Sequence, residues 1–462
     1  RLKMCLTDLG PVFIKLGQIL SIRGDLLPED IIIELEQLQD KVPPFDSQQA
    51  IDTIEKSFNK PIKELFKSFE IKPIASASIA QVHEAMLNNG QRVAVKIIRP
   101  GISDTIQKEI RWMRFIGRIM TWAHPHSARL RFLDIVDEFE RSIKDEINLH
   151  YEAGNAGQFR RQFQSSDDLY IPEIYWDLVA RDVMVMEFIE GVNIYDLETL
   201  KQQQVSLPQL AKKGLTVFFE QMLEHSFFHA DLHPGNLFVD TTLPDYPKFI
   251  AIDFGIVGML NQQDRHYITH NFIAFFKQDY RRIAELHIES GWVPSDTKVD
   301  QFESSIRTIC EPLFSRSLGD ISLAKLMLGL FQVARQFKTE IQPQLLMLQK
   351  TLFTVEALGR KLDPDLNLWL EAKPILEAWA YKNSNWTNWV QQAISKPPYW
   401  LDPRQRQPKK CQPKTEKSNI TLRLSPILYI LISLTILLSL TDLPPNWLIA
   451  AHFILVLTQI KK

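Results

Sequence analysis

The chain has 462 residues, of which 45% are hydrophobic and 23% charged, and its 53 basic and 55 acidic side chains give a formal net charge of -2. This composition excludes a disordered chain and a small fold held together by disulfides. The balanced charge gives no overall attraction to nucleic acid, so we expect no nucleic-acid partner. Cys5, Cys310 and Cys411 are far apart, which excludes a zinc ribbon and favours a reducing compartment.

Helical periodicity dominates most of the chain. The first 45 residues and the stretch from Gln48 to Ser68 are predicted to be helical, because apolar residues recur there every three or four positions. The same pattern returns over 103–160, from Ala211 to His225, and from Asp264 to about Ala393.

Strand-like runs interrupt this pattern in two regions. Ser78 to Leu87 and Arg92 to Ile98 are joined by the turn signal Asn88-Asn89-Gly90-Gln91, which predicts an antiparallel hairpin. Further strands are predicted at Val183 to Phe188, Leu237 to Val239 and Phe249 to Ile252. A small sheet lobe followed by a mostly helical lobe is the order expected of a two-lobed phosphotransferase.

We therefore predict an α+β, two-lobed protein-kinase-like fold with an N-terminal helical extension and a C-terminal transmembrane helical hairpin. The predicted domains are the extension at 1–72, an N-lobe with inserted helices at 73–192, a helical C-lobe at 193–395, a basic linker at 396–419 and a membrane anchor at 420–462.

The predicted anchor contains two apolar segments, Leu424 to Leu440 and Trp447 to Ile460. As helices they would cover roughly 25 Å and 21 Å, against a hydrocarbon core of about 30 Å. Basic residues flank the pair on both sides and are missing from the turn between the segments, so the positive-inside rule favours a hairpin with both ends in the cytoplasm. The alternative is one span plus a helix that lies on the membrane or packs on protein.

Lys96 is the first candidate for chemistry on a nucleotide. In Val93-Ala94-Val95-Lys96-Ile97-Ile98, strand alternation puts Lys96 on the face of Ala94 and Ile98. A lysine on an apolar face is costly unless it meets an anion, such as a phosphate or a carboxylate. The alternative is a lysine on the solvent face of a half-buried strand. Four acids on the following helices could pair with it, and helical spacing does not choose between Glu138, Glu140, Glu146 and Glu152.

A second group of candidates follows the helix that ends near His225. Asp231 and Asn236 have the D-x4-N spacing of a kinase catalytic loop, in which the Asp meets the attacking oxygen and the Asn binds a metal ion. Asp253, in Asp253-Phe254-Gly255, follows an apolar strand and can complete the metal site. In the alternative interpretation, His229 and His233 are zinc ligands, but a third well-placed ligand is missing.

A stretch of small residues precedes the hairpin, where a glycine-rich phosphate loop would lie. It keeps the side chains small but lacks the positive-φ freedom of glycine, so a nucleotide could be covered in a different pose. The alternative is a tightly packed β-turn. The predicted nucleotide-binding residues here are Ile74, Ala75, Ser76, Ala77, Ser78, Ile79, Ala80, Gln81 and Val82.

Together these residues resemble the UbiB family of atypical kinase-like proteins, from about residue 8 to at least 380. The KxGQ block is the most specific part of the resemblance, because ordinary protein kinases have nothing like it. The carrying motifs are Lys15-Leu16-Gly17-Gln18, Ser21-Ile22-Arg23, Gln39-Asp40-Lys41-Val42-Pro43, the small-residue stretch at 74–82, Lys96, Glu146, Glu152-Ala153-Gly154-Asn155, His229 to Asn236, and Asp253-Phe254-Gly255.

The resemblance implies a role for each matched residue. Lys96 would pair with Glu140 and contact the phosphates of ATP or ADP, and Asp231 would be the catalytic-loop acid. Asn236 and Asp253 would hold Mg²⁺. The family-specific residues Lys15 and Gln18 would project from the N-terminal extension into the active site, and Lys15 would meet Glu146.

The resemblance also implies a preference for ATP hydrolysis over protein phosphorylation, because the extension blocks the usual protein-substrate groove. The residues agree, since His233 stands where Ser/Thr protein kinases usually have Lys and no APE segment follows Gly255. Where many family members have Glu-x-Asp, this chain has Glu146-Ile147-Asn148, so the second carboxylate is missing.

By the same resemblance, we expect a membrane-anchored, magnesium-dependent ATPase or atypical kinase that supports ubiquinone biosynthesis at a bacterial inner membrane, with its catalytic domain facing the cytoplasm. The expected partners are membrane lipid, quinone-precursor lipids and enzymes of ubiquinone biosynthesis, and a homodimer is left open. The alternatives are a protein kinase that phosphorylates a biosynthetic enzyme and a non-catalytic, nucleotide-dependent lipid-binding scaffold.

Overall fold

The fold is seen in a computed structural model of the chain. It describes residues 2–22, 31, 34–35, 38, 43–123, 132–232, 234–294, 296–314, 326, 329–330, 333, 336–337 and 343–383. The predicted linker and membrane hairpin, at 396–462, lie outside these residues. Among the helices that are described, none is long and apolar enough to cross a bilayer.

Twelve strands are described, and they form three sheets. Their bounds are β1 Phe66–Phe69, β2 Ala75–Ser76, β3 Ala80–Leu87, β4 Arg92–Ile98, β5 Leu169–Tyr170, β6 Ile174–Val179, β7 Val183–Glu187, β8 Val192–Asn193, β9 Phe227–His229, β10 Leu237–Asp240, β11 Lys248–Ala251 and β12 Val257–Met259. The N-lobe sheet has the order β1-β3-β4-β7-β6, with β2 paired to β3, and all its pairs are antiparallel. The other two sheets have the orders β5-β11-β10-β8 and β12-β9.

Fourteen helices are described in continuous form. Their bounds are α1 Leu2–Leu9, α2 Pro11–Ile22, α3 Ser47–Phe58, α4 Ile62–Leu65, α5 Ile102–Ala123, α6 Phe132–Glu146, α7 Leu149–Gln162, α8 Leu197–Gln202, α9 Leu207–Glu220, α10 Gln262–Phe276, α11 Tyr280–Glu289, α12 Val299–Phe314, α13 Pro343–Leu362 and α14 Leu368–Asn383. One π-helical turn, Gln221–His225, continues α9 and ends at Ser226 in the left-handed conformation.

The predicted hairpin is present, as β3 and β4. Val82 lies opposite Lys96, and Ala80 lies opposite Ile98. Alternation divides the strand between two cores. Val93, Val95 and Ile97 belong to a small core that includes Ala50 and Ile54 of α3, whereas Ala94 and Ile98 belong to the main core between the lobes. Lys96 therefore faces the second lobe, as the alternation predicts.

The helix predicted from Gln48 to Ser68 is wrong beyond Phe58. Asn59 ends α3 in the left-handed conformation, with φ 51°, and Pro61 restricts the residue before it. After the single turn of α4, the chain becomes strand β1, and Phe66 is buried in the small core. The apolar residues of this stretch fit both the helical period and the strand period, so the sequence pattern did not reveal the end of α3 at Phe58.

Candidate active site

Lys96 lies at the centre of a partly buried cluster of three charged groups. Its Nζ donates to Glu152 Oε1 at 2.6 Å and to Asp253 Oδ2 at 2.9 Å. These residues come from strand β4, helix α7 and the loop after β11, so the cluster joins the two lobes. The side chains of Lys96 and Glu152 are 14% and 5% exposed, which rules out the solvent-facing alternative for Lys96.

One lysine cannot neutralise two carboxylates at once, and the pKa values of the two acids shift in opposite directions. Burial raises the pKa of Glu152 to about 7, because the attraction of Lys96 only partly offsets the lost hydration and Asp253 adds a second negative charge. Burial acts on Asp253 in the same direction, but Lys96 and the N–H of Gly255 hold its pKa well below the usual range. For Lys96, the two carboxylates outweigh burial and raise the pKa. Asp253 is therefore the acid that stays ionised.

The implied pairing of Lys96 with Glu140 is wrong. Glu140 lies on α6, where it binds Arg114 and, at 2.7 Å, Lys144 one helical turn further on. Lys144 and Arg114 lower the pKa of Glu140, so this half-buried acid is ionised and is held by cations of α6 and α5. The i,i+4 spacing to Lys144 was the sequence signal for that pairing.

Glu152 occupies the position that resemblance gave to Glu140. Helix α7 begins after Asn148, whose side chain accepts a hydrogen bond from the N–H of His150 and caps the new helix. The residues beside Glu152 are small, with Ala153 and Ala156 buried, so α7 approaches its neighbours closely. Small residues around an acid were the signal in the sequence for a buried carboxylate. Asn148, which stands where many family members have Asp, thus has a capping role.

The Asp253-Phe254-Gly255 segment is fixed to the same helix. Asn155 Nδ2 donates to the carbonyl oxygen of Phe254 at 2.9 Å, and the N–H of Gly255 donates to Asp253 Oδ1 at 3.0 Å. The ring of Phe254 packs against Phe159 at a centroid distance of 5.0 Å. These contacts hold Asp253 toward Lys96.

The predicted catalytic loop lies beside this segment. Strand β9, which leads into the catalytic loop, pairs with β12, which follows the Asp253-Phe254-Gly255 segment. The start of the catalytic loop is therefore hydrogen-bonded to the end of that segment. The N–H of Asp231 donates to His229 Nδ1 at 3.1 Å, and the N–H of Ile252 donates to the carbonyl oxygen of Asn236 at 3.1 Å. The D-x4-N and Asp-Phe-Gly motifs therefore meet at one place.

The zinc alternative gains no support. Burial lowers the pKa of His229, and its Nδ1 is already a hydrogen-bond acceptor. His233 lies outside the described residues. Among the parts of the chain that are described, no three His, Cys, Asp or Glu side chains form a metal-binding group.

Asp231 has an ion-pair partner that the sequence did not indicate. Lys350 Nζ of α13 lies 2.8 Å from Asp231 Oδ1, across 119 positions of the chain. Although burial opposes it, Lys350 holds the pKa of Asp231 below its usual value, and Lys15 and His229 act in the same direction. No local sequence pattern links two residues this far apart, so the ion pair becomes evident only in the folded structure.

The N-terminal extension reaches the same region. Lys15 of α2 is only 6% exposed, and its Nζ lies 2.5 Å from Glu146 Oε1 at the end of α6. This is the contact that the resemblance implied. Gln18 lies one turn further along α2 and is half-buried. A Cβ on Gly17 would come within 2.3 Å of Leu38 Cδ1 and 2.9 Å of Leu6 Cδ1, so the KxGQ glycine permits the close packing that carries Lys15 inward.

The small-residue stretch at 74–82 forms a tight hairpin. The N–H of Ala77 donates to the carbonyl oxygen of Ala80 at 2.8 Å, and the N–H of Arg99 donates to that of Ile79 at 2.7 Å. This geometry matches the β-turn alternative, and nucleotide contact by the stretch stays a prediction. Gln81 faces away from Lys96, because its side chain accepts from the N–H of Phe45 at 3.2 Å on the other side of the sheet. Its side chain is thus unavailable to a nucleotide that contacts Lys96.

The antiparallel N-lobe sheet, the helical second lobe and the convergence of Lys96, Asp231 and Asp253 between them define an α+β protein-kinase-like fold. The family model for the ABC1 atypical kinase-like domain matches residues 37–287, and that for the UbiB helical domain matches residues 306–367. The chain therefore belongs to the UbiB family of ABC1 atypical kinase-like proteins.

Individual relatives agree with the family models. The "Probable protein kinase UbiB" of Pseudomonas putida strain W619 is 52% identical over 379 residues, which are 82% of this chain and 70% of the relative. That of Azotobacter vinelandii is 52% identical over 382 residues, or 83% and 71% of the two chains. A Mycobacterium tuberculosis protein solved in complex with erythromycin has a TM-score of 0.50 at 22% identity, covering 75% of this chain and 87% of its own, and supports the fold alone.

Proposed function

We propose that this chain is a magnesium-dependent ATPase or atypical kinase that supports ubiquinone biosynthesis from the cytoplasmic face of a bacterial inner membrane. The observation that carries the catalytic part is the Lys96–Glu152–Asp253 cluster beside Asp231, in which Glu152 is buried and Lys96 and Asp253 are partly buried. A partly buried lysine held between two acids is arranged to exchange one carboxylate for nucleotide phosphates. A non-catalytic lipid-binding scaffold that uses nucleotide only as a structural ligand has no need of this set together with the Asp231 loop.

Asn236 and Asp253 offer the oxygen ligands that Mg²⁺ prefers, and Asp253 keeps its negative charge because its pKa is lowered. These two residues would hold the ion. The chemistry that the ion would supply, when bound with ATP, is neutralisation of negative charge on the phosphates. Lys96 binds phosphate oxygens, and Glu152 keeps the lysine oriented. Asp231 accepts a hydrogen bond from the attacking water or hydroxyl and takes its proton as the terminal phosphoryl group transfers.

The position of the N-terminal extension supports water or a small molecule as the acceptor. The charge of Lys15 reaches Asp231, and Lys15 is itself buried against Glu146. A segment packed this close to the catalytic acid leaves less room for a protein substrate. ATP hydrolysis that drives a rearrangement, and so presents quinone-precursor lipids to soluble enzymes, fits this geometry better than phosphorylation of a biosynthetic enzyme.

The membrane assignment rests on the sequence from 396 to 462. The two apolar segments and the basic residues around them support an anchor with both ends in the cytoplasm. Such an anchor would hold the catalytic lobes at the surface where quinone precursors partition. Enzymes of ubiquinone biosynthesis are then the natural protein partners.

A complementation experiment tests this function. The full chain and its Asp231→Asn variant are expressed at equal levels in a bacterium that lacks its own UbiB-family gene, and cellular ubiquinone is measured by mass spectrometry. We expect the unmodified chain to restore ubiquinone and the variant to fail. Full restoration by Asp231→Asn would instead favour the non-catalytic scaffold. A biosynthetic enzyme whose phosphorylation disappears with Lys96→Ala would favour the protein kinase.

A further inference from the structure

The ion pair between Lys350 and Asp231 joins two separate parts of the chain. Asp231 belongs to the segment matched by the ABC1 kinase-like model, whereas Lys350 belongs to the segment matched by the UbiB helical model. The Nζ to Oδ1 distance is 2.8 Å, and both side chains are 32% exposed. The pair is therefore accessible from the site and is not part of the core.

The turn of α13 that carries Lys350 is anchored to the catalytic loop. Thr351, which is 1% exposed, donates from Oγ1 to the carbonyl oxygen of His229 at 3.1 Å and shares that hydroxyl with the carbonyl oxygen of Met347. His229 is 2% exposed and its ring accepts the N–H of Asp231. Lys350 thus reaches Asp231 from a backbone position that the buried Thr351 contact fixes beside the catalytic loop.

The catalytic loop itself provides no lysine near Asp231. The second residue after it is His233, at the position where Ser/Thr protein kinases usually have Lys. An imidazole has an ordinary pKa of about 6.5, so it is a weaker cation than lysine where negative charge spreads over phosphate oxygens. Lys15, whose charge also reaches Asp231, is bound to Glu146.

We propose that Lys350, supplied by the helical domain, is the cation that binds the transferred phosphoryl group beside Asp231. The inference rests on the proposed ATP-dependent function and identifies a residue of that same site. With ATP bound, Lys350 donates a hydrogen bond to a γ-phosphate oxygen. The bond between the γ-phosphorus and the oxygen that bridges it to the β-phosphate breaks. A new bond forms to the oxygen of water or a hydroxyl acceptor, whose proton passes to Asp231 and then to solvent, and ADP leaves. The helical domain is in this way part of the active site.

The opposite role for the same pair is an inhibitory latch, in which Lys350 blocks Asp231 until something removes it. The two roles predict changes of opposite sign in kcat when the charge of Lys350 is removed. Loss of a phosphoryl-binding cation lowers kcat, whereas loss of a latch raises it. This difference makes the proposal testable without knowing the physiological acceptor.

The experiment measures ATP turnover and ATP affinity of the full chain with Lys350→Met, Lys350→Gln and Lys350→Arg. Lys361→Met is the matched control, because it removes a positive charge from the same helix at a side chain that lies over Tyr195. We expect both neutral variants to lose about 100-fold in kcat with ATP affinity and melting temperature nearly unchanged. Lys350→Arg should retain clearly more activity, and the control should match the unmodified chain.

Turnover that stays equal or rises in Lys350→Met would overturn the proposal, as would an equal loss in the arginine and methionine variants. The unmodified chain and Asp231→Asn report separately on the proposed function. If the unmodified chain turns over ATP and Asp231→Asn does not, a normal Lys350→Met refutes the role of Lys350 alone. If the unmodified chain shows no turnover, the proposed function fails and the role of Lys350 fails with it.

Discussion

The Nζ of Lys96 lies 2.6 Å from Oε1 of Glu152, although 56 positions separate the two residues in the chain. This contact connects the N-lobe sheet to α7, and the same nitrogen continues to Asp253 at 2.9 Å. Glu140, the acid that resemblance had assigned, is occupied elsewhere by Arg114 and Lys144. The choice between Glu152 and Glu140 therefore decides how the nucleotide site is built.

Two isosteric substitutions test that choice. Glu152→Gln removes the charge that orients Lys96, so we expect ATP turnover to fall by at least about tenfold, which corresponds to about 1.4 kcal/mol. Glu140→Gln removes the same charge from α6, where Glu140 contacts Arg114 and Lys144 instead of Lys96, and we expect turnover within about twofold of the unmodified chain. Steady-state kinetics on both purified variants provide the comparison. A larger loss of turnover with Glu140→Gln than with Glu152→Gln would favour Glu140 as the partner of Lys96.

The stability of the protein should depend on pH through Glu152. Its pKa is about 7 in the folded protein against an ordinary value of 4.5, so the folded state binds the proton more tightly. The stabilisation is complete at low pH and is lost as the pH rises from 4.5 through 7. Asp231 and Asp253 act in the opposite sense, but their lowered pKa values confine that effect to pH below about their ordinary 3.8.

The measurement compares the unmodified chain with Glu152→Gln by denaturant unfolding between about pH 5 and pH 7.5. Histidines titrate in both proteins and cancel in the difference. We expect the free energy of unfolding of the unmodified chain to fall, relative to the variant, by up to about 1.4 kcal/mol per pH unit. If the free energies of unfolding of the two proteins changed in parallel with pH, Glu152 would be ionised throughout this range.

The KxGQ glycine provides a stability prediction with a matched control. In Gly17→Ala, the new Cβ would lie 2.3 Å from Leu38 Cδ1, so the packing of α2 must shift, at a cost of about 1–3 kcal/mol. Gly154→Ala adds the same methyl group to α7 where nothing lies within 4 Å, and should stabilise the protein by about 0.5–1 kcal/mol. Thermal unfolding of the two variants should therefore move in opposite directions. A neutral Gly17→Ala would show that the extension is packed more loosely.

Motif order and strand alternation predicted the fold and most of the site. Both are local properties: Lys96 shares a face with Ala94 and Ile98 because side chains alternate, and the Asp231 and Asp253 motifs each occupy a few consecutive residues. Strands of two or three residues, such as β9 and β12, were not predicted because they are too short to show a period. Their pairing is what closes the catalytic loop.

The partners of the catalytic groups were harder to predict. Four acids stood on helices that could reach Lys96, and the choice of Glu152 depends on where α7 begins, after the Asn148 cap. Lys350 is separated from Asp231 by 119 residues, and its α13 shows nothing locally that points to the catalytic loop. Contacts that depend on how distant helices dock follow from the tertiary packing alone.

Magnesium-dependent ATP hydrolysis by the purified full chain, measured beside Asp231→Asn, tests whether the Asp231 site turns over ATP. The assay is run with and without vesicles of anionic lipid and a quinone-precursor mimic. We predict turnover that requires Mg²⁺, rises with the vesicles and is lost in Asp231→Asn. Turnover that Asp231→Asn leaves intact, or no turnover by the unmodified chain under any of these conditions, would mean that the Asp231 site does not hydrolyse ATP.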